Sequence, residues 1–266
     1  MTDLDPSLQA ELSDVAAALA DAARAAILPW FRQADLDEEN KLDAGFDPVT
    51  AADRAAEAAM REVLDRRRPD DAILGEEFGR QAGTTGLTWV LDPIDGTRGF
   101  ISGTPTWGVL IAVGGDQGPE LGIIDQPYIG ERFTGGFGRA SVEGPMGRRA
   151  LGVRRGRALT EATVMTTFPE VGSTDEGAAF ARVSRQARLT RYGMDCYAYA
   201  LLAAGQVDLV IEAGLQAYDI QAPMAVVRAA GGIVTDWQGG PAHMGGQVIA
   251  AATPELHRAA MELLAG

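Results

Sequence analysis

Apolar residues return every three or four positions from the start of the chain. From Asp5 to Gln33, "DPSLQAELSDVAAALADAARAAILPWFRQ" reads as an amphipathic helix, with Asp5 placed to cap it and Pro6 in its first turn. A polar, acidic stretch follows. Thr50 then opens a second helix, "AADRAAEAAMREVLDRRR", stopped by Pro69. The period changes after that. "AILGEEFG" and "LTWVLDPIDGT" read as short apolar strands that run into acidic residues. "TWGVLIAVGG" and "ELGIIDQPYIGERFTGGFG" read as antiparallel strands with glycine turns.

The stretch from about Gly138 to Arg157, rich in Arg and Gly, reads as a solvated connection rather than an anion-binding arm. Beyond it the pattern alternates. "ATVMTTF" is strand, "DEGAAFARVSRQA" and "DCYAYALLAAG" are helices, "VDLVIEAG" is strand, "QAPMAVVRAAGG" helix and "GIVTDW" strand. "HMGGQVIAAA" and "TPELHRAAMELLA" repeat the pair, and no internal repeat stands out. The pattern predicts a mixed α+β or α/β chain with helices stacked on sheets, in two halves, 1–145 and 146–266.

Composition narrows the class. A chain of 266 residues, 46% of them hydrophobic, can bury a sizeable core. A net charge of −14 argues against nucleic acid or an anionic membrane as partner. If the substrate is an anion, positive charge has to come from a local source. Cys196 is the single cysteine, so no intrachain disulfide forms and a reducing, cytoplasmic setting is expected. The N-terminus is acidic and unlike a secretory signal, and no apolar run reaches spanning length.

The same census removes several chemistries. His243 and His257 are the only histidines and neither has ligand-like company, so histidine metal sites and histidine nucleophiles are not expected. No arginine follows Cys196 closely to hold a phosphate, and it reads as a buried small hydrophobe. There is no G-x-S-x-G and no P-loop. Carboxylates remain.

Four acidic places lie at strand ends or loops: Asp53 in "VTAAD", Glu76 and Glu77 in "LGEEFG", Asp92 and Asp95 in "LDPIDGT", and Asp219 in "AYDIQ". Each has a structural reading. Thr50-x-x-Asp53 resembles a capping box. Glu76-Glu77 could form an exposed turn before Phe78, and Asp219 could cap the helix that follows it. Turn chemistry explains the composition of Asp92-Pro-Ile-Asp95-Gly-Thr but not its position at the tip of a buried strand. Two ionised carboxylates there would repel each other and lose hydration, and a hard divalent cation resolves both costs. Oxygen-only ligands, the Ile94 carbonyl among them, point to Mg²⁺ rather than Zn²⁺. Gly96 and Thr97 would offer N–H groups and a hydroxyl to an anion beside it. An aspartyl-nucleophile phosphatase motif, Asp-x-Asp-Gly-Thr, is a close competitor, but here two residues separate the aspartates where that motif has one.

"GEEFG", "WVLDPIDGT" and "YDIQAPMAVVRAAGGIVTDW", with "PVTAAD" upstream, occur in the order and approximate spacing of the inositol monophosphatase superfamily, which the chain resembles over nearly its whole length. "TRGFISGTPTWGVLIAV" and "RYGMDCYAYALLAAGQVDLVIEAGLQAYD" look most like the histidinol-phosphatase branch. The usual Trp-Asp of the superfamily is Tyr218-Asp219 here, and the small pair after it is Ala222-Pro223. The resemblance implies a layered αβαβα sandwich, a homodimer, and a phosphomonoesterase using two or three Mg²⁺ ions. Glu76, Asp92 and the Ile94 carbonyl would hold one ion, and Asp92, Asp95 and Asp219 a second. A third would rest on Glu76 through water. Thr97, paired with Asp53, would orient and help deprotonate the attacking water, with Glu77 as a water-orienting group. The Gly96 and Thr97 amides would hold the phosphate.

Lys41, the only lysine, lies near where relatives place a lysine; it reads equally as a surface residue. The expected substrate is histidinol phosphate, with inositol 1-phosphate or a broader set of sugar phosphates as the alternative. A non-catalytic metal- or phosphate-binding protein is the reading from another class. Asp195 or Glu212 would pair with the ammonium of the leaving alcohol, unless Asp195 simply caps the helix after it.

Overall fold

The first two helices form where the apolar period predicts them. In the computed structural model, which describes residues 4–32, 38–40 and 48–266, α1 spans Pro6–Ile27 and α2 spans Ala51–Arg67. Asp5 caps α1 by accepting from Ser7 N at 2.7 Å. The helix stops before the predicted end, where Pro29 has no N–H for the ladder. Lys41 and the side chain of Thr50 lie outside the described residues.

A small antiparallel pair, β1 (Glu38–Asn40) and β2 (Pro48–Thr50), precedes α2. The main sheet follows: β3 (Ala72–Gly75), β4 (Gly79–Gln81), β5 (Thr88–Asp95), then, after the short α3 (Thr97–Ile101), β6 (Gly108–Gly115), β7 (Gly118–Gln126) and β8 (Glu131–Gly136). β9 (Arg139–Gly144) and β10 (Gly147–Ala150) complete it, in the order β10-β9-β8-β7-β6-β5-β3-β4. Only β3 and β5 run parallel in this sheet, so their C-terminal ends reach the same edge.

The Gly138–Arg157 stretch therefore differs from the solvated connection expected of it. Its first half is a hairpin that widens the sheet. One side chain, Val142, is buried at the sheet face, and the turn is closed by Gly147 at φ 85°. The exposed arginines of β10 hid a strand whose inward side carries little apolar material.

The second sheet has five strands, ordered β12-β11-β13-β15-β14. In chain order its elements are β11 (Thr163–Thr166), α4 (Thr174–Ser184), β12 (Leu189–Tyr192), α5 (Asp195–Ala203), β13 (Leu209–Leu215), α6 (Ala217–Ala229), β14 (Ile233–Thr235), β15 (Gly246–Ala251) and α7 (Pro254–Ala265). All were legible except β12, an edge strand with too little buried surface to show a pattern.

Strand alternation sorts the apolar residues into layers. Trp89 and Leu91 of β5, with Val109, Ile111 and Val113 of β6, pack with α1 and α2. Val90, Leu110 and Ala112 face the other way, into a cluster with α5, α6 and Val210 of β13. Leu209 and Ile211 turn from that cluster toward α4 and α7. The layers run α1/α2, main sheet, α5/α6, second sheet, α4/α7: the αβαβα sandwich. Helices from the C-terminal part thus cover a sheet built by the N-terminal part. Among the described residues no helix is long and apolar enough to cross a membrane.

Candidate active site

Asp92 and Asp95 are three residues apart, an odd number that would place them on opposite faces of a regular strand. The backbone corrects this. Asp92 pairs with Leu110 of β6 and Asp95 with Gly108, so three steps on β5 match two on β6. The extra residue is a bulge at Pro93-Ile94, which turns both carboxylates to one side. Asp219 joins them from the first turn of α6, and carboxylate oxygens of the three lie within 4.8 Å of one another. Asp219 does not sit at the cap position of α6. It is three residues inside, and its Oδ2 accepts from Gln216 N at 2.6 Å.

The acidic pair arrives from the neighbouring strand. β3 ends at Gly75 beside Leu91, and Glu76 N donates to the Leu91 carbonyl at 3.2 Å, which sets Glu76 next to Asp92. Glu76 lines the cleft. Glu77 is directed toward α2 instead, 3.7 Å from Arg54 Nε, with its side chain almost fully buried. The turn is held by a residue that sequence reasoning passed over. Glu57, fully buried on α2, accepts from Glu77 N at 2.7 Å, Phe78 N at 3.2 Å and Arg61 Nε at 2.8 Å. Gly75 makes room for it, since a Cβ there would stand 1.9 Å from Glu57 Oε1. Asp53, also fully buried, lies in the first turn of α2 near enough to Asp92 to disfavour its ionisation.

Gly96 follows Asp95 at φ 87°, a conformation glycine adopts freely. A Cβ there would lie 3.0 Å from Asp195 Cγ. Thr97 Oγ1 donates to the Ile94 carbonyl at 3.1 Å, which leaves that oxygen a second lone pair. Asp195 has a positive φ of 45°, unusual for a residue with a side chain, and opens α5 one residue past the cap position. It does not cap the helix; its carboxylate faces the cleft. The next residue, Cys196, donates its N–H to Asp95 Oδ2 at 2.6 Å, which ties α5 to the acidic cluster. The Cys196 thiol is buried, and burial with Asp95 beside it pushes its pKa well up, so it stays protonated.

Glu76, Asp92, Asp95, Thr97, Asp195 and Asp219 line one cleft of about 490 Å³, with Arg98, Thr167, Phe168, Tyr199 and Glu212 on its other sides. A larger groove of about 800 Å³ between α4 and α7 contains none of the acidic cluster. Glu212 stands at the far wall. The pairing of β13 with β15 is irregular between Glu212 and Leu215, and the Glu212 carboxylate accepts from Thr167 N at 2.7 Å, Thr167 Oγ1 at 2.9 Å and Thr166 Oγ1 at 3.1 Å. Burial raises Glu212 to about 7 against those hydrogen bonds. Burial likewise raises Asp195 to about 6, opposed by Arg98. The Arg98 guanidinium lies over the Phe168 ring, 4.7 Å from its centroid.

The central carboxylates are unstable as a bare group. Burial pushes Asp92 far above the usual carboxylate range, and Glu76, Asp95, Asp219 and Asp53 add to it. Asp95 is raised by burial, then by Asp195 and Asp219. Asp92 Oδ1 is buried and meets no hydrogen-bond donor. An all-oxygen set with one orphaned buried acceptor fits a hard divalent cation. Asp92, Asp95 and Asp219 can hold one.

The inositol monophosphatase family model matches residues 8–266. The chain belongs to the inositol monophosphatase family. It is a phosphoric monoester hydrolase of that metal-dependent family. It is 40% identical over 258 residues to the bifunctional phosphatase IMPL2, chloroplastic, of Arabidopsis thaliana, covering 93% of this chain and 73% of that one. It is 37% identical to the histidinol-phosphatase of Mycobacterium tuberculosis, over 89% and 91% of the two chains. Among solved structures, an inositol monophosphatase from Zymomonas mobilis aligns with a TM-score of 0.85 and 38% identity, covering 98% of this chain and all of the other.

Within this phosphatase the quoted motifs carried the acidic cluster, while Glu57, Arg98, Thr166, Thr167 and Tyr199 went unnoticed. Glu57 had a usable signal: a glutamate in line with Ala52, Ala56, Met60 and Leu64 on the buried face of α2. The threonines had none, because their contact with Glu212 spans about 45 residues of chain.

Proposed function

We propose that the protein hydrolyses L-histidinol phosphate to L-histidinol and phosphate with Mg²⁺. The observation that carries the reading is the pair Asp195 and Glu212. Two carboxylates face the cleft beyond the acidic cluster, one set by a left-handed backbone and the other by three hydrogen bonds. A neutral polyol needs no such charge, whereas a leaving alcohol bearing an ammonium does. The identity to a histidinol-phosphatase supports it. The similarity to an inositol monophosphatase keeps inositol 1-phosphate as the second reading.

Glu76, Asp92 and the Ile94 carbonyl would hold one Mg²⁺, and Asp92, Asp95 and Asp219 a second. Bound there, the metal supplies an activated water at neutral pH and neutralises phosphoryl charge, which explains how an acidic chain takes an anion. The Gly96 and Thr97 N–H groups would orient the phosphate. Thr97 Oγ1, which donates to Ile94 O here, would accept from the attacking water, and its hydroxyl would turn from Ile94 O toward buried Asp53 for that carboxylate to act as the base. Glu77, turned toward Arg54, would shape the turn and orient Glu76. Asp195 and Glu212 would hold the ammonium at the leaving side.

Phosphate release with Mg²⁺ from histidinol phosphate, inositol 1-phosphate, fructose 1,6-bisphosphate and 3′-phosphoadenosine 5′-phosphate tests the reading. Histidinol phosphate is expected to have the highest kcat/KM; preference for inositol 1-phosphate selects the second reading. Asp195→Asn and Glu212→Gln are each expected to lower kcat/KM for histidinol phosphate by roughly ten- to a hundredfold, and for inositol 1-phosphate by less than about threefold. Equal losses on both substrates would remove the ammonium pairing.

The raised pKa of Glu212 gives a pH signature. Below about 7 the group is neutral and cannot pair with a cation, so KM for histidinol phosphate should fall as pH rises through that value. Glu212→Gln should lack this step. Stability runs the other way. A carboxyl raised from 4.5 to about 7 favours the folded state most below 4.5 and loses that contribution as pH rises through about 7, on the order of 3 kcal/mol. The thermal midpoint of Glu212→Gln should therefore fall less than that of the wild type between pH 5 and pH 8, as followed by differential scanning fluorimetry.

A further inference from the structure

Tyr199 lies one helical turn after Asp195 on α5, so both residues present one face of the helix to the cleft. The ring is packed in the core between the sheets and is 3% exposed. Its hydroxyl is buried and meets no hydrogen-bond partner. A phenylalanine would fill the same volume without that penalty, since a buried hydroxyl with no partner is costly. Core packing thus accounts for the ring but not for the oxygen.

Tyr199 lines the cleft together with Asp95, Asp219 and Glu212. Glu212, Asp95 and Asp219 all act on the phenol electrostatically, Glu212 most strongly. Burial and these charges hold it protonated. Tyr199 thus shares the cleft with the acidic cluster, where the phosphate end of a monoester would bind, and with Glu212. Ionised carboxylates only accept hydrogen bonds, whereas a phenol both donates and accepts. It can meet an amino or hydroxyl substituent that Asp195 and Glu212 alone leave half satisfied.

We infer that Tyr199 Oη hydrogen-bonds the polar substituent of the leaving alcohol next to the phosphoester carbon, and so helps select amino- or hydroxy-alcohol phosphates over plain alkyl phosphates. This rests on the cleft being the phosphomonoesterase site and holds for either substrate reading. The residue is a specificity and positioning group; no proton passes through it.

Tyr199→Phe tests it, assayed with Mg²⁺ on histidinol phosphate and inositol 1-phosphate, with n-propyl phosphate as a leaving group without polar substituents. kcat/KM for the better of the two polar substrates is expected to fall about tenfold, mainly through KM, and for propyl phosphate by less than about twofold. The thermal midpoint should be unchanged or higher. An unchanged ratio between the polar and the propyl substrate overturns the inference, whether both rates hold or both fall. A lowered midpoint with equal losses would mark Tyr199 as packing alone. A wild type inert toward every monoester would sink the phosphatase reading itself and this inference with it.

Discussion

Asp92→Asn should abolish phosphate release and make the metal-free protein more stable. Asp92 is buried, its Oδ1 has no donor, and its ionised form is opposed first by desolvation and then by Glu76, Asp95, Asp219 and Asp53. An asparagine keeps the shape and removes the charge, so the bare cluster loses its most crowded member. If Asp92 bridges the proposed ions, the same change removes the ligand common to both. Loss of Mg²⁺-dependent phosphate release by at least about a thousandfold is expected, with the fold intact by circular dichroism. Calorimetry with and without Mg²⁺ supplies the second readout. Wild-type protein should gain stability with Mg²⁺ because the ion binds the folded state. Asp92→Asn should start higher and gain little. A variant that still responds to Mg²⁺ like the wild type would place the metal elsewhere.

Glu57→Ala should cost both stability and activity, although Glu57 does not line the cleft. Its carboxylate satisfies two backbone N–H groups of the Glu77–Phe78 turn and the Arg61 side chain, with no exposure of its own. Truncation leaves those donors and a partly buried guanidinium without their acceptor. Arg61 keeps the Gly79 carbonyl at 2.6 Å, so the loss falls near the low end for a broken buried pair, about 3 kcal/mol. The turn that carries Glu76 is then free to shift, and roughly a hundredfold loss in kcat is expected. Urea unfolding and Mg²⁺ titration of activity separate the two effects. Glu57→Gln, which retains one acceptor oxygen, should fall between. A stable, fully active Glu57→Ala would show that the turn holds itself.

Asp92 and Asp95 were legible because they are out of place by local rules, and the family resemblance added Asp219 to them. Carboxylates at the end of "TWVL" contradict burial, and only a counter-charge reconciles them. Helices stacked on sheets were legible because strand alternation and helix period assign a face to almost every apolar residue, whereas the five-layer order came from the family resemblance. The hairpin of β9 and β10 and the edge strand β12 were not, because each buries too little to leave a period. Glu57 was passed over despite its place on the buried face of α2, because a glutamate on a charged helix looks solvated until the neighbouring turn is seen to lean on it.

The sequence by itself determined most of the elements, the oxygen-rich donor set and the order in which the motifs meet. Only the tertiary structure decided which carboxylates converge. Spacing alone puts Asp92 and Asp95 on opposite faces; the bulge at Pro93-Ile94, forced by pairing with β6, puts them on one. Spacing alone leaves Asp195 and Asp219 open as helix caps. The left-handed backbone at Asp195 turns it into the cleft, while Asp219 accepts from Gln216 N and still reaches the cluster. The reason is physical. Local propensity fixes each residue's own conformation, while the direction of a side chain at a strand end or helix start depends on the partner that holds the backbone there. Those partners, β6, α5 and Glu57, all lie outside the few residues over which local propensity acts.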